Sequence, residues 1–227
     1  MARSNLTNLP TQGDVVIERL GAQPIPTAVK PYAKGFAKIH AAHGKACDCV
    51  DDAKEKLEAA HFVVAEQDAL LDASLESMVI EAVGAKLGTR QKPLAKFTRY
   101  SVSNLQMMAS KKKAEAVLAM CGKVKNAGVP KSVAAASATC AKHATNVLAA
   151  IAKLSRPQAA YRKALEKRDA IVPARTRAYA RLKKSAAAAW LDDEPTYKAV
   201  FEPAGSVQAP KKRRAKKAPA AEDPTPT

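Results

Sequence analysis

The fold of this chain follows from residues 36–85, which read FAKIHAAHGKACDCVDDAKEKLEAAHFVVAEQDALLDASLESMVIEAVGA. One row of mostly apolar residues recurs here every seven positions, and alanines form a second row three residues further on. A seven-residue repeat sustained this long is typical of a helix that packs against neighbouring helices. The sequence therefore predicts one long helix over residues 29–88, with Gly88 and Pro93 marking the first turn. The first row consists of Phe36, His43, Val50, Leu57, Val64, Leu71, Met78 and Ala85.

The composition of the whole chain of 227 residues favours an all-α fold. Alanine, lysine, glutamate and arginine are strong helix formers, aromatic residues make up only 4% of the chain, and the period-two alternation of strands is missing. Because a buried alanine removes little apolar area from water, thin helix-on-helix packing is expected rather than a thick core. We predict an elongated antiparallel bundle of about four helices with coiled-coil-like, alanine-rich packing.

Turn and capping residues divide this predicted bundle. Ser101 or Ser103 is a candidate N-cap, and residues 126–130 form the clearest turn. Ser155, followed by Pro157, predicts the start of a further helix. The prolines and glycines of residues 1–27 favour an irregular N-terminal arm, and the Ala/Pro/Lys-rich residues 204–227 favour a disordered basic tail. The expected helices of the bundle, residues 28–203, are 29–88, 101–126, 130–154 and 156–191.

Positive charge is concentrated in one part of the sequence. Residues 1–90 hold 10 Lys/Arg against 12 Asp/Glu, whereas residues 91–191 hold 21 against 3, and the whole chain carries a formal charge of +17. A stretch with so little counter-charge repels itself unless an anion lies against it. We therefore expect an anionic partner.

Nucleic acid is the first candidate for that partner. Lysines and arginines at three-, four- and seven-residue offsets form a stripe on the last long helix, where they can follow a phosphate backbone. The expected contacts are sequence-independent because aromatic residues are too few and too far apart for a stacking platform. The candidate residues are Lys111, Lys112, Lys113, Lys163, Lys167, Arg177, Arg181, Lys184 and, in the tail, Lys211, Lys212, Arg213, Arg214, Lys216 and Lys217.

The tail segment Lys211–Lys217 lies between Ala-Pro pairs. In composition it resembles the Lys/Ala/Pro tails of linker histones, over about a dozen residues. The resemblance concerns composition alone and implies no fold or residue roles for the rest of the chain.

Three other interpretations of the charge remain open. In a self-assembling filament, shell or scaffold, the acidic first long helix of one copy would pack against the basic helices of the next. The basic face could also adhere to an anionic membrane surface, which ranks below assembly because no strongly apolar insertion face accompanies it. Finally, the charge could form only a solvated face.

Motifs for catalysis are missing, so we expect no enzyme activity and no cofactor. There is no Gly-rich phosphate loop, Gly-x-Ser-x-Gly elbow or Cys-x-x-Cys pair. His40, His43 and Cys47 share one helix face and Cys140 with His143 another, but a metal site would require the two helices to meet at that level.

With no apparent membrane span or signal peptide, a cytoplasmic location is expected, nucleoid-associated if the source is bacterial.

Overall fold

The computed structural model describes residues 8–89 and 91–202, and the side chains from Gln12 onward. Most of these residues are helical, and they contain no strand, apart from an isolated bridge between Thr89 and Lys92. The all-α prediction is therefore confirmed for this part of the chain. Its helices are α1 (Asn8–Gly21), α2 (Lys30–Gly84), α3 (Val102–Gln106), α4 (Ser110–Lys125), α5 (Lys131–Ala189) and α6 (Glu194–Phe201).

The chain divides into two compact units. Residues 36–178 form one, which we call the central unit, and the described residues of 1–35 and 179–227 form the other, the terminal unit. Helices α2 and α5 each contribute residues to both units. Within the described helices, none is long and apolar enough to cross a membrane.

The irregular arm predicted for residues 1–27 is wrong over α1. Pro10 falls in the first turn of that helix, where a missing backbone N–H costs nothing, and Gly21 is its last residue. Val16 and Leu20 of α1 are buried in the terminal unit, where α1 contacts α6. This packing outweighs the glycine penalty of about 1 kcal/mol that made the segment look irregular.

Acidic residues lie at the start of helix α6. The carboxylate of Asp193 accepts a hydrogen bond from the Thr196 N–H at 3.2 Å, and Pro195 lies in the first turn. The helix ends at Phe201, whose ring packs against Tyr197 and Tyr179 with centroid distances of 5.1 and 6.3 Å. Burial of Val200 and Phe201 anchors this short helix in the terminal unit.

In the central unit, α2 and α5 pack together and run in opposite directions. Nε of Arg175, late in α5, donates to Nδ1 of His40, early in α2, at 3.0 Å. At the other end, Ser74 lies beside the Cys140 thiol. Most of the seven-residue row of α2 predicted from sequence is buried, and the remainder is half-buried.

A single helix, α5, replaces the two helices predicted over 130–154 and 156–191. The expected N-cap at Ser155 is wrong, because its hydroxyl donates back to the Ala152 carbonyl at 3.1 Å instead of starting a new helix. The inward-facing row also continues across Pro157 without a change of phase, so packing against α2 holds the helix together. That row is Val133, Cys140, Val147, Leu154, Tyr161, Arg168 and Arg175, of which every member is buried or half-buried.

The helix predicted over 101–126 is instead two helices. Ser101 caps α3, as predicted, by accepting a hydrogen bond from the Asn104 N–H at 3.1 Å. The backbone then tightens, with the Met108 N–H bonded to the Leu105 carbonyl, and Ala109 adopts an extended conformation before α4 begins. Leu105, Val117, Met120 and Val124 are buried against the C-terminal part of α2 and the N-terminal part of α5.

Two glycines set the turns that the sequence indicated. A Cβ on Gly88 would lie 2.6 Å from the Lys92 carbonyl oxygen, so only glycine permits this close approach. Gly128 has a φ of +61°, in the turn between α4 and α5. Both turns belong to the end of the central unit where α2, α4 and α5 share their core.

A buried ion cluster attaches α4 to α2. The Lys113 ammonium donates to Asp68 Oδ2 at 3.0 Å and to both oxygens of Asp72 at 2.8 Å. Burial alone lowers the pKa of Lys113, but its hydrogen bonds to Asp72 and Asp68 outweigh this, so the pKa is raised and the side chain stays charged.

We expect Lys113→Met to lower the free energy of unfolding by about 2 kcal/mol, because it leaves two partly buried carboxylates without their cation. Urea denaturation followed by circular dichroism measures this change. Adding Asp68→Asn and Asp72→Asn to the variant should recover part of the loss. The control Glu76→Gln, which alters an exposed hydrogen bond to Gln106, should change the value by less than about 0.5 kcal/mol. A Lys113→Met protein as stable as the wild type would contradict this role.

Candidate nucleic-acid interface

The predicted basic stripe lies on the exposed side of α5. Lys163, Lys167 and Arg177 belong to the central unit, and all three side chains are exposed. Arg181 and Lys184 belong to the terminal unit and are also exposed. The face that each unit turns inward instead carries residues such as Ala164 in the central unit and Leu182 in the terminal unit.

The predicted cluster at the start of α4 divides into two kinds of lysine. Lys111 and Lys112 are exposed, whereas Lys113 has a relative exposure of only 1% and is held by Asp68 and Asp72. Lys113 therefore does not belong to the exposed candidate surface. Sequence spacing did not show this, because the partners lie more than 40 residues away. The tail candidates Lys211–Lys217 lie outside the described residues.

The structure adds basic residues that the sequence analysis did not select. Lys86, Lys92, Lys96 and Arg99 are all exposed in the connection between α2 and α3. The sequence feature that could have indicated these basic residues is that the connection contains no acidic residue. Over the described residues between 86 and 177, sixteen Lys and Arg side chains are exposed against three carboxylates, those of Glu115, Glu166 and Asp169.

Three adjoining cavities open at this end of the central unit. The first, of about 590 Å³, lies between residues 97–100 and α4 and has Arg99, Lys112 and Lys123 among its lining residues. A second, of about 520 Å³, shares Phe97 and Lys123 with the first and adds Lys96. A third, of about 360 Å³, shares Thr98, Arg99 and Tyr100 with the first and adds Lys92. We call these three cavities together the basic groove.

Tyr100 lies where two of these cavities join. The Arg99 guanidinium is 4.9 Å from the centroid of the Tyr100 ring and donates to its hydroxyl oxygen at 2.8 Å. The Tyr100 side chain is half-buried, whereas Phe97 beside it is buried and forms part of the core. The groove thus combines aromatic surface with cationic side chains.

A second polar cluster is buried between α2 and α5. The rings of Phe36 and His40 stack with centroids 5.5 Å apart, and the Arg175 guanidinium lies 6.0 Å from the Phe36 ring while donating to His40. Next to them, Cys47 Sγ lies 3.7 Å from Nδ1 of His43. Arg175 is only 5% exposed, so this arginine serves the helix pair rather than the exposed surface.

The Cys and His residues weighed as metal ligands lie far apart. His40 contacts Arg175 and Cys140 contacts Ser74, so the two groups are separated by 34 residues of α2, about 50 Å of helix. Across residues 8–89 and 91–202, no three His, Cys, Asp or Glu side chains come together in a way that could hold a metal ion.

The buried thiols have the environment of packed apolar groups. Burial raises the pKa of Cys140 to about 11, although a hydrogen bond to Ser74 opposes the shift. Burial likewise raises the pKa of Cys121, against a hydrogen bond to Ser137. Since the thiolate is the nucleophilic form, neither thiol is activated at neutral pH.

His43 should make stability depend on pH. Burial lowers its pKa and the positive charges of Arg175 and Arg168 lower it further, while Asp169 opposes them. The unfolded chain then takes up a proton below about pH 6.5, where folded His43 stays neutral. We therefore expect the free energy of unfolding to fall as pH decreases from 6.5 toward the lower folded pKa, by at most about 1.4 kcal/mol per pH unit.

Urea denaturation at pH 7.5, 6.5 and 5.5 tests this dependence. His43→Leu should show a flatter pH profile than the wild type, because it removes the titrating ring. His61→Gln, at an exposed histidine of the same helix, should keep the wild-type profile. Equal profiles for wild type and His43→Leu would show that His43 does not control acid stability.

Comparison with known proteins does not assign the chain to a family. No protein-family model, no curated protein and no solved structure matches it. Its function must therefore be argued from its own residues, of which the exposed basic surface of the central unit and the basic groove offer the most specific chemistry.

Proposed function

We propose that this protein binds nucleic acid without sequence specificity, as an architectural or nucleoid-organising protein that contacts backbone phosphates. The observation that carries the proposal is the exposed charge of the central unit, with sixteen exposed cationic side chains against three carboxylates among the residues of 86–177 that the structure describes. Such an excess attracts a polyanion, and release of the polyanion's counterions favours binding.

The placement of the cations supports contact with a backbone rather than with base edges. Lys163, Lys167 and Arg177 are exposed side chains of one helix, α5, at successive intervals of four and ten residues. At 1.5 Å per residue these intervals are about 6 and 15 Å, a spacing over which successive phosphates of one strand can be reached. Arg181 and Lys184 of the terminal unit and the tail Lys211–Lys217 would add further phosphate contacts.

The ion pairs within the central unit are formed by other basic residues, so Lys163, Lys167 and Arg177 keep their charge available for a ligand. Lys113 is neutralised by Asp68 and Asp72, and Arg168 bonds Asp169 at 2.6 Å. Arg162 has only a 3.9 Å approach to Glu166 on the exposed surface, which contributes little in water. The acidic helix α2 therefore neutralises the buried cation Lys113, while the outward-facing lysines keep their charge for a ligand.

The combined variant Lys163→Ala, Lys167→Ala and Arg177→Ala tests the phosphate contacts. Because each lost phosphate contact reduces counterion release, we expect weaker binding to a random-sequence duplex and a salt-dependence slope lower by about one for each cation removed. Fluorescence anisotropy with a labelled duplex at several salt concentrations measures both quantities.

A matched variant removes the same charge elsewhere in the central unit. Lys38→Ala, Lys45→Ala and Lys56→Ala alter three exposed lysines on α2, and should leave the slope nearly unchanged. Equal losses from both sets would mean that net charge alone attracts the polymer. No salt-dependent binding by the wild-type protein would contradict the proposed function.

A second candidate function, self-assembly, is favoured by the outer face of α2. Phe62 is 71% exposed and Ile80 69% exposed, and 18 residues, or five helical turns, separate them, so they lie in line on one face. Exposed Ala69 and Ala73 lie between them, and Glu66 and Glu76 flank the row. An apolar row of this kind on a solvent-facing helix is typical of an interaction surface.

The occupant proposed for this face is α5 of a second copy. The exposed side of α5 carries Ala152, Ala159 and Ala160 together with lysines. The small alanines suit contact with the apolar row, and the lysines carry the charge opposite to that of its glutamates. In addition, no residue in 51–70 of α2 or 151–163 of α5 is buried, so this part of the helix pair has room for a neighbour. We propose coiled-coil-like packing there, between α2 of one copy and α5 of the next.

Mass photometry of nuclease-treated protein tests assembly. If copies associate through this face, Phe62→Lys with Ile80→Lys should dissociate particles that the wild type forms at low salt, because two charges would enter an apolar contact. Met107→Lys with Leu191→Lys, at exposed apolar residues outside the row, should leave the particles intact. A wild-type protein that stays monomeric at all salt concentrations without nucleic acid would contradict this candidate.

A further inference from the structure

We propose that the basic groove is a binding site for single-stranded nucleic acid, in which unpaired bases lie on the aromatic surface and phosphates lie on the cationic rim. This inference rests on the proposed function and names the form of nucleic acid that this part of the molecule prefers. Of the cations that line the groove, Lys112 was selected from the sequence, whereas Lys92, Lys96 and Arg99 were not.

Continuity is the first argument for a polymer ligand. The three cavities share lining residues: Arg99 and Tyr100 join the first cavity to the third, and Phe97 and Lys123 join the first cavity to the second. Their volumes of about 590, 520 and 360 Å³ are in the range of small-molecule sites. A chain of neighbouring sites of this size suits a ligand with repeating units.

The distribution of charge is the second argument. Each cavity has at least two cationic side chains at its edge, among them Lys92, Lys96, Arg99, Lys112 and Lys123, which are all exposed. Glu115 is the one carboxylate among the residues that line the three cavities. Repeated cations along a concave surface match the repeated phosphates of a nucleic-acid strand.

Aromatic surface beside these cations distinguishes a single strand from a duplex. Tyr100 is half-buried with the Arg99 guanidinium 4.9 Å from its ring, and half-buried Met108 adds apolar surface in the same cavity. Unpaired bases have free faces that can stack on such a ring or on a guanidinium plane. The bases of a duplex are already stacked, so a duplex can use only the cations.

Fluorescence anisotropy with a labelled 20-nucleotide thymidine strand and with a duplex of equal length tests the site. Lys112→Glu with Lys123→Glu should weaken single-strand binding at least tenfold. Lys142→Glu with Lys153→Glu makes the same change of charge at exposed positions of α5 outside the groove, and should weaken it less than threefold.

The substitution Tyr100→Leu separates stacking from charge. It should weaken single-strand binding about fivefold or more while leaving duplex binding within twofold, because only unpaired bases use the ring. An abasic strand of equal length should bind the wild type about as weakly as the thymidine strand binds Tyr100→Leu. Circular dichroism confirms that each variant is folded before it is compared.

Two results would overturn the inference. If the groove and control reversals weaken single-strand binding equally, and the abasic strand binds as well as thymidine, the protein binds backbone phosphate but the groove is not a site. If the wild type binds neither strand nor duplex in a salt-dependent manner, the proposed function fails and the inference fails with it.

Discussion

The structure depends on the pairing of α2 with α5 in opposite directions. The contacts of Arg175 with His40 and of Cys140 with Ser74 fix the register of the two helices. Once that register is set, one row of each helix faces inward, and the remaining faces are left to solvent or to partners. Because only nine of the 55 residues of α2 are buried, each helical turn buries little apolar area, and the length of the helix pair makes up for a thin core.

This pairing also separates cations with structural roles from cations available to ligands. Lys113 and Arg175 lie between helices, where carboxylate or histidine partners and ring contacts offset the cost of removing charge from water. Lys163 and Lys167, on the opposite side of α5, have no such environment and remain exposed. A positive charge in the sequence is therefore not by itself a ligand contact, and the buried fraction decides its role.

The two proposed activities share the exposed face of α5 and one electrostatic cause. Nucleic acid and the acidic α2 of a second copy are both anionic, and the exposed face of α5 is suited to either. Their competition would make assembly sensitive to nucleic acid as well as to salt. The basic groove lies apart from this face, with walls formed by the α2–α3 connection and by α4, and its aromatic surface offers an interaction that a charged helix cannot provide.

The sequence by itself determined the helical class, the long α2, the turn at residues 126–130 and the cap of Ser101. These features arise from local propensity and from periodicity, which are readable along the chain. It did not determine the continuity of α5 across Pro157, the presence of α1 or the burial of Lys113. Each of those depends on residues distant in sequence, because packing against another helix outweighs a local penalty from proline or glycine, and because Asp68 and Asp72 lie on a different helix from Lys113. The basic groove likewise exists only where the α2–α3 connection meets α4, so tertiary contacts alone brought its residues together.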